Sequence, residues 1–310
     1  MSKTIFKDST NSKAFIITGP TSGIGRATAL ELAKHGTVIL VGRNPKKLDE
    51  LQNIIEQKGQ LAVSVVCDIS DMTSVRQAAQ QIIKLGLPIV GLLNNAGIMP
   101  SKPTKSAQGW DMTFATNHLG AFELTEMLAS HLPDGANVVL IASAIEDPER
   151  KPAKAMGMRG GRFISVEASA RGEWKAVGSK IAGSDAYATS KQCILASTMA
   201  FARENTRLHF NAVEPGITRG TSLGGESMNA IVRFVFGQIM AIIPPFSTYS
   251  STPAKSAKVI TKVLIDPSGK TGIYYDEKGQ PMLGSELSQD LKFQDLVVAE
   301  TRAFLSKVKE

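Results

Sequence analysis

The apolar run AFII at residues 14–17 leads directly into TGPTSGIG at 18–25, and the apolar spacing that follows is helical. Glycines at 19, 23 and 25 make this stretch costly to order, so the turn needs a geometric reason for them. Strand, glycine-rich turn and helix in that order receive a diphosphate. The helix N-terminus offers unpaired N–H groups and partial positive charge, and glycine lets a ligand approach the backbone. The spacing Gly-x3-Gly-x-Gly departs from the commoner GxGxxG. A helix-capping loop is the competing reading, and the rest of the chain decides between them.

Short apolar runs continue to alternate with longer amphipathic ones. Strands are expected at Ala14–Thr18, Val38–Val41, Leu61–Val66, Ile89–Leu93, Asn137–Ala142 and Leu208–Val213, with a last one at Thr271–Tyr275. Helices are expected near 24–35, 46–58, 71–85, 108–131 and 185–205, and finally through 285–307. In the first helix, Ile24, Ala27, Leu30 and Ala33 share a face. This alternation predicts an α/β fold: a doubly wound parallel sheet with helices on both faces and right-handed crossovers. No repeat or linker divides the chain, so residues 1–310 are read as a single Rossmann-type domain.

Cys67 and Cys193 build no disulfide framework, and the start MSKTIFKDSTNSK has no apolar stretch behind it to act as a signal peptide. Both features favour the cytoplasm. The net charge of +7 comes without a long basic run or a reading motif, so nucleic acid is not the expected partner. The positive balance suits a polyphosphate ligand instead. His35, His118, His131 and His209 are scattered, and no metal site is expected.

At the end of the second strand, 18 residues after Gly25, stands Arg43, followed by Asn44; no carboxylate occurs before Asp49. Dinucleotide folds read the adenosine ribose here, an acid accepting a free 2′-hydroxyl and a base meeting a 2′-phosphate. Arg43 therefore favours NADP(H), against the alternative of an ordinary surface arginine. Tyr187 and Lys191 are four apart and share a helix face, where an ammonium is expected to bring a phenol of ordinary pKa ~10 toward the working range. Ser143 follows a buried strand and should lie at the carboxyl edge of the sheet, either bonding a substrate oxygen or capping a turn. Asn117 is a poor helix former within a helical stretch, a misfit expected at functional positions.

TGPTSGIG (18–25), CDIS (67–70), NNAG (94–97), NHLG (117–120), VVLIASA (138–144), YATSK (187–191) and EPGIT (214–218) occur in this order over roughly residues 14 to 220. With these motifs the chain resembles the short-chain dehydrogenase/reductase family. The resemblance implies catalytic roles for Asn117, Ser143, Tyr187 and Lys191, with Asn117 distorting its helix and completing a proton relay. It implies that Gly19, Thr21, Ser22, Gly23, Ile24, Gly25, Arg43 and Asn44 contact the cofactor. By the same likeness Asp68 and Ile69 hold adenine, Asn95, Ala96 and Gly97 flank the ribose, and Tyr187 and Lys191 reach the nicotinamide half. Pro215, Gly216 and Thr218 lie against the nicotinamide. The family often pairs the helices near 108–131 and 185–205 into dimers or tetramers, whereas branches with long insertions can be monomeric.

Two segments depart from the common pattern. Ser143 and Tyr187 stand 44 residues apart, and the glycine-bearing stretch 145–184 is read as a substrate lid or a surface excursion. Residues 219–250 form a substrate-loop region, and MNAIVRFVFGQIMAIIPPF at 228–246 is too apolar for one helix face. It suits a pocket for a bulky apolar substrate, then a dimer contact, then a membrane surface. The expected function is NADPH-dependent hydride exchange with a carbonyl or secondary alcohol. The alternatives are an NAD-dependent steroid or polyol dehydrogenase and a non-catalytic dinucleotide sensor.

Overall fold

Ala14–Thr18, all buried, form β1, and its side chains divide between two cores: Ala14 and Ile16 on one face, Phe15 and Ile17 on the other. A strand covered on both sides must be apolar throughout. Each of Phe15, Ile16 and Ile17 stabilises the fold by ~1.5–3 kcal/mol through burial. The computed structural model describes residues 13–218 and 246–308. After β1 come α1 (Gly23–Leu32), β2 (Thr37–Gly42), α2 (Pro45–Glu56), β3 (Ala62–Val66), α3 (Met72–Lys84) and β4 (Ile89–Asn94). Next are α4 (Met112–Phe114), α5 (Gly120–Ala129), β5 (Asn137–Ile141), α6 (Lys151–Ala155), α7 (Val166–Arg171), α8 (Ser184–Glu204) and β6 (His209–Val213). The short β7 (Ile217–Thr218) and β8 (Ser250–Ser251) pair with each other. They are followed by α9 (Pro253–Leu264), β9 (Ile273–Tyr275), β10 (Pro281–Met282), α10 (Glu286–Gln289) and α11 (Leu291–Leu305).

The main sheet runs β10-β9-β6-β5-β4-β1-β2-β3, parallel except for the antiparallel edge strand β10. This is the expected α/β architecture. Strand order reverses beside β1, which lies between β2 and β4, so a crevice opens there at the carboxyl ends of the strands. One core gathers residues of α3, α5, α8 and α11, and the other gathers residues of α1, α2 and α9.

Three local expectations need correction. The inward face of α1 is Gly25, Thr28, Ala29 and Leu32; of the set 24, 27, 30 and 33, only Ala33 is buried. This rotation of the helix follows from Gly25, which must touch the turn before it. The helix expected through 285–307 is two pieces, since Asp290 is extended and its side chain accepts from Lys292 N–H to start α11. A further helix, α9, lies outside the expected set, and Thr252 followed by Pro253 is its start. The apolar stretch 228–246 lies outside the described residues save for the backbone of Phe246.

α11 lies against α8, where Arg203 meets Asp295 and Arg302 bonds both Glu126 and Glu204. The face of α8 toward α11 is thus covered by the chain itself. Among the described residues no helix is long and apolar enough to cross a membrane.

Candidate active site

The glycine-rich turn is built from both neighbouring strands. Gly19 and Gly23 have φ of +65° and +52°, the left-handed region that side chains rarely occupy. A Cβ on Gly25 would lie 2.1 Å from the Gly19 carbonyl oxygen, so α1 can dock here only without a side chain. Asn95 braces the same turn, its Nδ2 donating to the carbonyls of Thr18 (2.9 Å) and Gly19 (3.2 Å). Thr18 Oγ1 accepts from the N–H groups of Asn95 and Ala96.

Asn44, Asp71 and Thr252 cap α2, α3 and α9 through their side chains, but Ser22, at the corresponding position of α1, makes no such bond. The first N–H groups of α1 are thus left without a side-chain partner. Arg43 and Asn44 are exposed at the end of β2, as expected, although Asn44 spends its side chain on the α2 cap. Arg26 and Lys47, which sequence reading passed over, line a cleft with Thr21 and Glu50 and add positive charge beside the turn. Asp68 Oδ1 accepts from Ser70 N–H (2.9 Å) and Oγ–H (2.7 Å), and the Ile69 carbonyl packs where a Gly120 side chain would stand.

The four candidate catalytic residues converge. Ser143 follows β5 in extended conformation (φ −161°), makes no capping bond, and shares a hydrogen bond with the Tyr187 hydroxyl. Tyr187 and Lys191 stand one turn apart on α8, both buried. Asn117 lies in a π-helical turn, Ala115–Leu119, so the helix near 108–131 is distorted where asparagine interrupts it. Its amide brackets Ile98, accepting from the N–H (2.8 Å) and donating to the carbonyl (3.0 Å), and also donates to Ser190 Oγ (3.0 Å). A Cβ on Gly97 would meet Asn117 Oδ1 at 3.4 Å and Lys191 Nζ at 3.6 Å, so glycine keeps open the space between them. Gly216, at φ +76°, turns the chain after Pro215, and Thr218 Oγ1 donates back to the Pro215 carbonyl.

The electrostatics differ from what the Tyr-Lys spacing predicts. Burial pushes the Tyr187 phenol above its ordinary value; the negative charge of Glu214 adds to this and the bond with Ser143 opposes it. Lys191 Nζ donates to the Ile141 carbonyl at 2.6 Å and lies 5.5 Å from the centre of the Tyr187 ring. Burial pulls its ammonium down to about 8, against the field of Glu214. Desolvation of the phenolate dominates, so this arrangement favours the protonated phenol.

The segment 145–184 is tied to the body at several points. Arg162 N–H donates to Thr189 Oγ1, Val166 N–H donates to Glu300, and the Glu146 carboxylate accepts from Ser285 N–H at 2.7 Å. Phe163 packs edge-on against Phe293 at 5.2 Å.

A short chain dehydrogenase family model matches residues 13–156. Human polyprenol dehydrogenase is 36% identical over 138 residues, covering 42% of each chain. Mouse retinol dehydrogenase 14 is 29% identical over 301 residues, covering 90% of this chain and 82% of its own. Among solved structures, a short chain dehydrogenase from Burkholderia cenocepacia in complex with NADP superposes with a TM-score of 0.62 at 22% identity, covering 86% of this chain and 97% of that one. At that identity the likeness is one of fold.

Proposed function

The chain belongs to the short-chain dehydrogenase/reductase family of oxidoreductases, and from that premise we propose that it is an NADPH-dependent reductase of bulky, largely apolar carbonyl compounds. The observation that carries this reading is the hydrogen-bonded pair Ser143–Tyr187 at the carboxyl edge of β5, with Lys191 and Asn117 grouped around Gly97 beside it.

The N–H groups at the start of α1 hold the diphosphate in this reading, and Arg43, with Arg26 and Lys47 nearby, meets the 2′-phosphate. Bound there, the dinucleotide supplies a hydride. Ser143 donates a hydrogen bond to the substrate oxygen as charge builds on it, and Tyr187 gives up its proton to the same oxygen. A phenol held protonated suits reduction, where the tyrosine acts as the acid. Lys191 binds the nicotinamide ribose, and Asn117 with Ser190 carries the replacement proton. In this reading the segment 145–184 is a wall of the substrate site, tied down at Arg162 and Val166.

The substrate class rests on the apolar stretch 228–246 together with the relatives, since polyprenol and retinol are both long apolar alcohols. Purified protein should consume NADPH with a panel of aldehydes, ketones and quinones, faster with long apolar members than with small polar ones. Absence of turnover across the panel would refute the reading. Arg43→Ala should raise KM for NADPH about tenfold or more, the loss of a charged hydrogen bond worth ~1.5–3 kcal/mol, with little change for NADH. Equal effects on both coenzymes would remove Arg43 from the 2′-phosphate.

A further inference from the structure

Glu214 is a carboxylic acid directly after a fully apolar strand end, and it is 7% exposed. Its two oxygens face two different loops. Oε2 accepts from the N–H of Ala144, the residue after Ser143, and Oε1 accepts from the N–H of Gly216 at 3.1 Å. Its own N–H donates to the Tyr275 carbonyl at 2.8 Å, so the backbone it hangs from is held by β9. One side chain thus ties the loop after β5, which carries Ser143, to the Pro215–Gly216 turn.

We propose that Glu214 is a positioning residue: by accepting from both N–H groups it locks the loop that carries Ser143 against the Pro215–Gly216 turn. The inference rests on the assignment of Ser143 and of this turn to the reaction site. A neutral amide could not bridge the two loops in the same way, because its nitrogen is a donor and faces an N–H. Several charges surround this carboxylate. Lys191 faces Tyr187 from α8; Arg150, after β5, offsets the charge of Glu214; and Glu277, after β9, adds to it. Tyr274, from β9, lies within the fields of Glu214, Glu146 and Arg150, and its buried hydroxyl has no partner. Burial raises Glu214 itself, while the two N–H donors favour its ionised form.

Glu214→Gln keeps the length of the side chain but can accept from only one of the two N–H groups. With the Ser143 loop no longer tied to the turn, kcat should fall about tenfold or more, the scale expected when a reacting group is misplaced. NADPH affinity, read by nicotinamide fluorescence, should fall in the same variant, because the released turn is the one expected against the nicotinamide. Glu214→Asp keeps both acceptors on a shorter arm and should recover part of both losses. Parent-like kcat and coenzyme affinity in Glu214→Gln would overturn the proposal. A loss of coenzyme affinity in Glu214→Gln, when the parent itself turns over no carbonyl, would uphold it and count against the reductase reading instead.

Discussion

Tyr187→Phe should bind NADPH as the parent does and lose about 10²- to 10⁴-fold in turnover, the range for removing a positioned proton donor. The substitution deletes one oxygen and leaves the ring, which stays packed in the buried stretch of α8. That oxygen is the one bonded to Ser143. Ser190 is one turn along but spends its Oγ–H on the Tyr187 carbonyl at 2.7 Å, so it cannot substitute as the acid. Steady-state rates at saturating NADPH, with coenzyme affinity measured by nicotinamide fluorescence, separate chemistry from binding. A variant that turns over within a few-fold of the parent would remove Tyr187 from the mechanism. For the parent, the raised phenol means reduction should hold level through neutral pH and fail only on the alkaline side. Alcohol oxidation, which needs the phenolate, should rise over that same alkaline range.

Gly25→Ala should act through the backbone, with no change in polar chemistry. The added carbon would sit 2.1 Å from the Gly19 carbonyl oxygen and 2.6 Å from Asn95 Nδ2, both held by β1 and β4. Neither is the free end of a flexible chain, so α1 must move away from the turn. Overpacking of this kind costs ~1–3 kcal/mol, with the rigid neighbours here placing it at the upper end. Since the first N–H groups of α1 move with the helix, NADPH affinity should also fall at least about tenfold, or ~1.4 kcal/mol. Chemical denaturation and coenzyme titration read the two effects. An alanine variant with parent-like stability and affinity would show that the close approach is not what this glycine serves.

Period and punctuation made most of the fold legible. The strands at 14–18, 89–94 and 137–141 are buried along nearly their whole length, so consecutive apolar residues fill their middles and they stand out from the helices between them. The misplaced face of α1 shows the limit of that reasoning. Ile24 and Leu30 are only partly buried, and the inward face is Gly25, Thr28, Ala29 and Leu32, because the close approach of Gly25 to the turn sets the rotation of the helix. In the site, Ser143, Tyr187 and Lys191 were legible from spacing and strand ends. The balance between them was not: the sequence places an amine near a phenol, but only the packed interior shows how far each is desolvated.

Glu214 marks the same boundary. An acid behind the run HFNAV is visible in the sequence as an oddity, since a carboxylate at that position is carried toward the interior. Which groups it meets depends on β5 and β6 being neighbours, a pairing between segments 70 residues apart. The order of apolar and polar residues along the chain determined the elements, the glycine turn and the identities of the reacting groups, because those follow from local geometry and side-chain chemistry. The tertiary structure alone decided which distant groups share a buried space, and therefore their charge states. Desolvation and Coulomb fields depend on distance through the folded interior, and separation along the chain does not measure that distance.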